Sequence, residues 1–215
     1  MAVVYGESDV GKMEDPREHM VRLCKLAYDR KLLDSAGGNL TVRVGERVYM
    51  SRSYAGARWQ WQVGPEDFLV LDLDGQILAG EGEFSREGAV HLACYHAFPD
   101  AGCVFHAHPL NVMPFVSTRT PLPPTSEQTD KFGVIGFCRH APTHTPELAE
   151  NVVEALQPLA DRLQSHPIAT LVPRHGIFVV GAGLETTYDA LERIDRGAYY
   201  YLMGRLLLPG ARPEE

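Results

Sequence analysis

Two histidines one residue apart, His106 and His108, stand in the segment CVFHAHPLNVM directly after an apolar run. If residues 104–108 form a strand, alternate side chains share a face and both imidazoles aim at one point in space. Two parallel imidazoles are unfavourable to bury unless something accepts their lone pairs, and a divalent cation does so directly. By itself the pair leaves a metal site and ordinary packing both open. A catalytic zinc site usually takes three protein ligands and keeps a fourth position for substrate. His175, in LVPRHGIFVVG, is the candidate third ligand, because it lies at a tight junction between two apolar strands beside Gly176. A plain turn histidine is the alternative. Glu87 is the candidate general base; its alternative is a carboxylate favoured in a helix first turn by the macrodipole. The remaining histidines have ordinary readings, with His19 and His166 in polar surroundings and His91 and His96 packed on a helix.

The elements that must position these residues are readable as a mixed α and β pattern. Helical spacing predicts a helix over 16–29, opened by Pro16. The segment NLTVRVGERVYMS alternates about Gly45-Glu46 and reads as a hairpin. An aromatic-rich loop over 52–67 leads to a strand over 68–73 and a turn at Asp74-Gly75. Ser85 suits an N-cap for the helix that carries Glu87 and ends before Pro99. After the His106 strand, a helix runs from Pro109 through Val116, and GVIGF reads as a strand. A helix over 146–163 follows, with Thr145 as cap and Pro146 in its first position. Two short strands flank Pro173 to Gly176, and a long helix closes the chain from Leu184. Residues 1–13 form a loose polar arm, and residues 14–210 make one domain without repeats or linkers.

Composition narrows the function classes. The 215 residues are 45% hydrophobic and 22% charged, as expected of a globular domain with a sizeable core. Net charge is −8 and no Lys/Arg block forms, which argues against nucleic acid as a partner. A phosphorylated small molecule stays open, since a few local donors hold a phosphate. No signal peptide and no membrane span are expected. The four cysteines form no CxxC pair, so reduced thiols and a cytoplasmic location are expected.

The string E-x-x-x-H-x-x-x-Y from Glu87 to Tyr95, then VFHAHP, then PRHG, resembles the class II aldolase/adducin-type domain family, which includes fuculose-phosphate and rhamnulose-phosphate aldolases. GGNLTVR, FLVLDLDG, TPELAENVVEAL and the long terminal helix extend the resemblance over most of the chain. The resemblance implies a three-layer α/β/α fold with a mixed, largely antiparallel sheet, and a homotetramer. It implies zinc, or manganese or cobalt, on His106, His108 and His175, since three imidazoles suit several ions. It places Glu87 as the acid/base and implies a carbon–carbon lyase acting on a short hydroxyketone or sugar through a metal-stabilised enediolate. Substrate contacts are implied at Gly38, Asn39, Ser53, Ser85 and Arg86; where fuculose-type aldolases carry a tyrosine acid, His140 stands, either as an acid in its place or as a solvated histidine. Tyr54 departs from the pattern by standing where the family has glycine. The Ser85-Arg86 pair departs too, and Arg52 and Arg86 either strengthen anion binding or re-aim the pocket at a carboxylate. A sugar-phosphate 4-epimerase and a dehydratase or decarboxylase are the rival enzymes; the epimerases tend to carry Asp in place of Glu87. An adducin-like module without the ligands is disfavoured, because all four residues are present.

Overall fold

The computed structural model describes residues 15–83, 85 and 87–207; the arm expected over 1–13 lies outside them. The chain opens with α1 (Arg17–Asp29), then the hairpin β1 (Asn39–Val44) and β2 (Arg47–Ser51), closed by Gly45 at φ 60°. Next come α2 (Ala55–Trp59), β3 (Phe68–Leu71), β4 (Ile77–Ala79), α3 (Gly88–Ala97) and β5 (Cys103–Ala107). Short helices α4 (Met113–Thr118) and α5 (Glu127–Asp130) precede α6 (Pro146–Leu156), β6 (Ile168–Val172), β7 (Gly176–Gly181) and α7 (Leu184–Leu207). The seven strands form one sheet in the order β4-β3-β2-β1-β5-β7-β6, and every neighbouring pair is antiparallel.

Alternation along the central strands creates the layers. Cys103, Phe105 and Ala107 of β5 join Ile177 and Val179 of β7 in a core with Met20 and Leu23 of α1 and Leu191 and Ile194 of α7. Val104, Phe178 and Val180 face the other way, against Val90 and Cys94 of α3 and Leu148 and Val152 of α6. Helices thus cover both faces, as the three-layer reading requires. His106 shares the second face, where its ring stacks on Phe178 at 4.5 Å between centroids.

Local chemistry explains where elements depart from the sequence reading. GVIGF is not a strand: Gly133 turns left-handed at φ 63°, and only isolated bridges form, Leu122 with Ile135 and Phe137 with Leu171. The second of these is parallel but lies outside the named strands, so the seven-stranded sheet itself is antiparallel throughout. The helix expected over 146–163 stops at Leu156, because Pro158 has no N–H to continue it; a 3-10 segment takes over from Gln157 to Gln164. Thr145 does cap it, accepting the N–H of Leu148 at 3.3 Å. In the aromatic loop, Trp61 is buried and donates its Nε1–H to the carbonyl of Asp34 at 3.2 Å, and α2 folds beside it.

Phe178 is fully buried beneath His106. Phe178→Ala is expected to lower unfolding free energy by about 3–5 kcal/mol, read from chemical denaturation midpoints.

Candidate active site

Strand register sets the first ligand. Asn39 of β1 and Phe178 of β7 lie directly opposite His106, so the three side chains form a row on the face toward α3. The Nδ1 of His106 is 3.2 Å from the Ile177 carbonyl. A carbonyl only accepts, so this nitrogen carries the proton and Nε2 keeps its lone pair. His108 lies one residue past β5, with Nδ1 3.2 Å from Oδ1 of Asp34. The same logic leaves the His108 Nε2 lone pair free, and that atom is buried with no protein partner; so is Nδ1 of His175. His175 ends the three-residue connection from β6 to β7, its N–H bonded to the Val172 carbonyl at 3.1 Å.

Ligand atoms of His106, His108 and His175 all lie within 4.8 Å of one another. The Nε2 atoms of His106 and His175 are 3.2 Å apart. Two imidazoles on one tetrahedral ion at zinc–nitrogen distances would hold their nitrogens roughly 3.3 Å apart. Burial, then the neighbouring His175 and His108, push the His106 pKa far below the usual imidazole range. Burial, then His108 and His144, push His175 down to about 4. Both rings are therefore neutral near pH 7, which is the form that binds a metal. The residues fit a divalent cation.

Two glycines permit this convergence. A Cβ on Gly176 would stand 2.4 Å from the Ala107 carbonyl and 2.7 Å from the His108 ring. Gly38 is left-handed at φ 94°, and a Cβ there would press within 2.5 Å of Leu33 and 3.1 Å of the His106 carbonyl. Asp34 ties the surrounding loop together. Its Oδ1 accepts from the backbone N–H of Ala36 at 2.9 Å and of Gly37 at 3.0 Å, besides facing His108. A carboxylate on the far ring nitrogen orients a ligating imidazole and raises its basicity. The sequence reading did not pick out Asp34, which lies far from His108 in sequence and in a loop with no motif.

These histidines line an open cleft of about 180 Å³ together with Gly38, Asn39, Ser53, Ser85 and Glu87. Ser85 does not cap α3. Glu87 holds the N-cap position, and the Ser85 hydroxyl instead accepts from the Asn39 amide at 3.0 Å, because buried Asn39 brings a donor to it. Asn39 Oδ1 remains buried and without a protein partner. Arg86 lies outside the described residues. Arg52 lines the cleft but is engaged, its guanidinium 4.0 Å over the Trp59 ring and ion-paired with Asp67. Tyr54, read as standing at a glycine position, has the left-handed φ of 64° that favours glycine.

Glu87 is 4% exposed, and burial raises its pKa to about 7 against the opposing effects of the His144 backbone N–H and the charge of His108. Its carboxylate is held one residue before α3 rather than in the first turn. Nδ1 of His144 lies 2.9 Å from Glu87 Oε1 in the cleft, an ion-pair contact rather than an aligned hydrogen bond, and both Glu87 oxygens are buried without a hydrogen-bond partner among the described residues. His140, the candidate acid, is exposed and does not line the cleft. Four positions separate the two in a short polar loop, and nothing in the spacing distinguishes them.

Residues 18–202 match the family model described as Class II Aldolase and Adducin N-terminal domain. The chain belongs to this family. It is 26% identical over 190 residues to an L-fuculose phosphate aldolase of Methanococcus maripaludis, covering 86% of this chain and 96% of that one. It is 25% identical over 184 residues to a methylthioribulose-1-phosphate dehydratase of Pseudoalteromonas translucida, covering 82% and 85% respectively. A solved L-fuculose 1-phosphate aldolase superposes with a TM-score of 0.80 at 22% identity, over 94% of this chain and 91% of that one. This class II aldolase fold is the one that the residue string from Glu87 to His175 led us to expect.

Asp34→Ala is expected to weaken zinc binding by about 10–100-fold, measured by competition with a chromophoric chelator. Asp34→Asn keeps an acceptor for His108 and should lose less.

Proposed function

We propose that this chain is a divalent-metal-dependent carbon–carbon lyase acting on a short hydroxyketone or sugar. The observation that carries the reading is the joining, in one cleft, of three convergent imidazoles and a buried carboxylate whose pKa burial has raised to about 7. His106, His108 and His175 would hold the metal. When bound, the ion supplies Lewis-acid stabilisation of negative charge on substrate oxygen. Glu87 removes the proton from the carbon beside the carbonyl in the direction of bond formation. In cleavage, Glu87 returns a proton to that carbon after the carbon–carbon bond breaks. A pKa near the working pH serves both directions. Asn39 Oδ1 offers an acceptor to a substrate hydroxyl, and Ser53 and Ser85 line the same cleft.

The named relatives act on sugar phosphates, which supports a phosphorylated ketose as substrate. Zinc is the favoured ion, with manganese or cobalt as replacements, because the donors are all imidazole. A homotetramer is supported by the family and by the exposed Tyr200, Leu206 and Leu207 on α7. Four buried free cysteines support a reducing, cytoplasmic setting. Residues 14–210 are proposed as its one domain, and a small molecule rather than nucleic acid as its partner. The dehydratase relative favours one second reading, in which the same proton removal is followed by loss of water.

Protein purified without chelator should carry one divalent ion per chain, by elemental analysis; failure to bind any after reconstitution would remove the site. Glu87→Gln should keep the metal and lose turnover by at least about 100-fold in a screen of ketoses and ketose phosphates. Aldehyde formation supports the lyase, whereas dehydration or epimerisation without cleavage replaces it. The synthetic direction needs ionised Glu87, so its rate should rise with pH to a plateau. The midpoint should lie at or below about 7, because a bound cation favours the carboxylate. A rate that falls over this range would assign the base elsewhere.

A further inference from the structure

A proton taken up by Glu87 lands on a side chain that is 5% exposed. The exposed side chain nearest it is His144, 39% exposed, with Nδ1 2.9 Å from Oε1 in an ion-pair contact that needs only a small turn of the ring or carboxylate to align a hydrogen bond. His144 has a left-handed φ of 66°, which few residues other than glycine adopt and which is often retained at sites of function. The turn that imposes it is fixed on its far side by Thr145, whose hydroxyl donates to the Pro142 carbonyl at 2.8 Å while capping α6. Among the described residues, His108, His175 and Arg52 are charged or titratable groups near the pair, the last already held by Asp67.

The geometry points to His144 as the proton carrier of Glu87, relaying protons between the buried carboxylate and solvent. This rests on Glu87 being the base proposed above. The C–H bond of the substrate breaks, its electron pair moves toward the carbonyl, and an O–H bond forms on Glu87. That O–H then breaks as an N–H bond forms at Nδ1 of neutral His144, leaving a carboxylate beside an imidazolium. The imidazolium gives up a proton to water. In the cleavage direction the steps run in reverse, and solvent supplies the proton that reaches carbon. His144 acts through Glu87, so it differs from an acid that protonates the departing fragment.

The test uses metal-loaded full-length protein and dihydroxyacetone phosphate, the three-carbon fragment released when a ketose 1-phosphate is cleaved. Exchange of its carbon-bound proton in D2O is followed by proton NMR. His144→Gly removes the imidazole from a backbone position that glycine accepts readily, so the turn is kept. Exchange should slow by at least about 100-fold, with metal content unchanged, and free imidazole should restore part of it. Wild-type exchange in this variant, or a slow variant that imidazole does not rescue, overturns the relay. Exchange lost in Glu87→Gln but kept in His144→Gly removes His144 alone, whereas exchange kept in Glu87→Gln removes the base itself. A substrate-free arm covers the case where this ketone is not accepted. Ring 15N resonances of His144 should shift in Glu87→Gln, and unchanged resonances overturn the pairing.

Discussion

The antiparallel register of β1, β5 and β7 is the constraint on which the site depends. It sets Asn39, His106 and Phe178 in one row, so the candidate ligand, the ring it stacks on and a side-chain amide of the cleft share a face. A slip of one residue in β5 would turn His106 into the opposite core and bring an apolar side chain into the cleft. The apolar side chains that hold that register on both faces therefore also hold the metal geometry. Stability of the sheet and integrity of the site are one property here.

Burial acts on the site's titratable groups in opposite directions. It favours the neutral form of each, so His106 and His175 lose their protons more readily while Glu87 keeps its own longer. Near neutral pH this yields unprotonated donors beside a carboxyl group poised to gain or lose a proton. One low-dielectric environment produces both conditions without a dedicated charge for either.

Much of this was legible in the sequence where side-chain period coincides with function. The alternation that makes β5 a strand is the same alternation that pairs His106 with His108, and apolar strands flanking His175 forced it inward. The glycines were legible only in part: Gly176 marks a tight junction beside His175, while the close approach of Gly38 to Leu33 and the His106 carbonyl emerges only in the fold. The failures share a cause, which is partner choice across long sequence separations. Ser85 reads as a cap until Asn39, distant in sequence, claims its hydroxyl. His140 and His144 are equivalent as letters, and only the fold sets His144 rather than His140 beside Glu87 in the cleft. Asp34 carries no motif at all and is defined by the four groups that meet it.

Tyr54 and His144, two large side chains lining the cleft, are borne on left-handed backbone. Such positions invert the usual trade between function and foldability. Pruning either side chain to glycine relieves the local conformation instead of leaving a hole in a packed interior. The cleft wall is thus assembled from pieces that are separable from the scaffold, and its shape can be recut there by mutation or by drift while the seven-stranded sheet stays untouched. At Tyr54 such recutting changes the shape of the cleft alone, whereas at His144 it also takes away the group proposed to carry protons for Glu87.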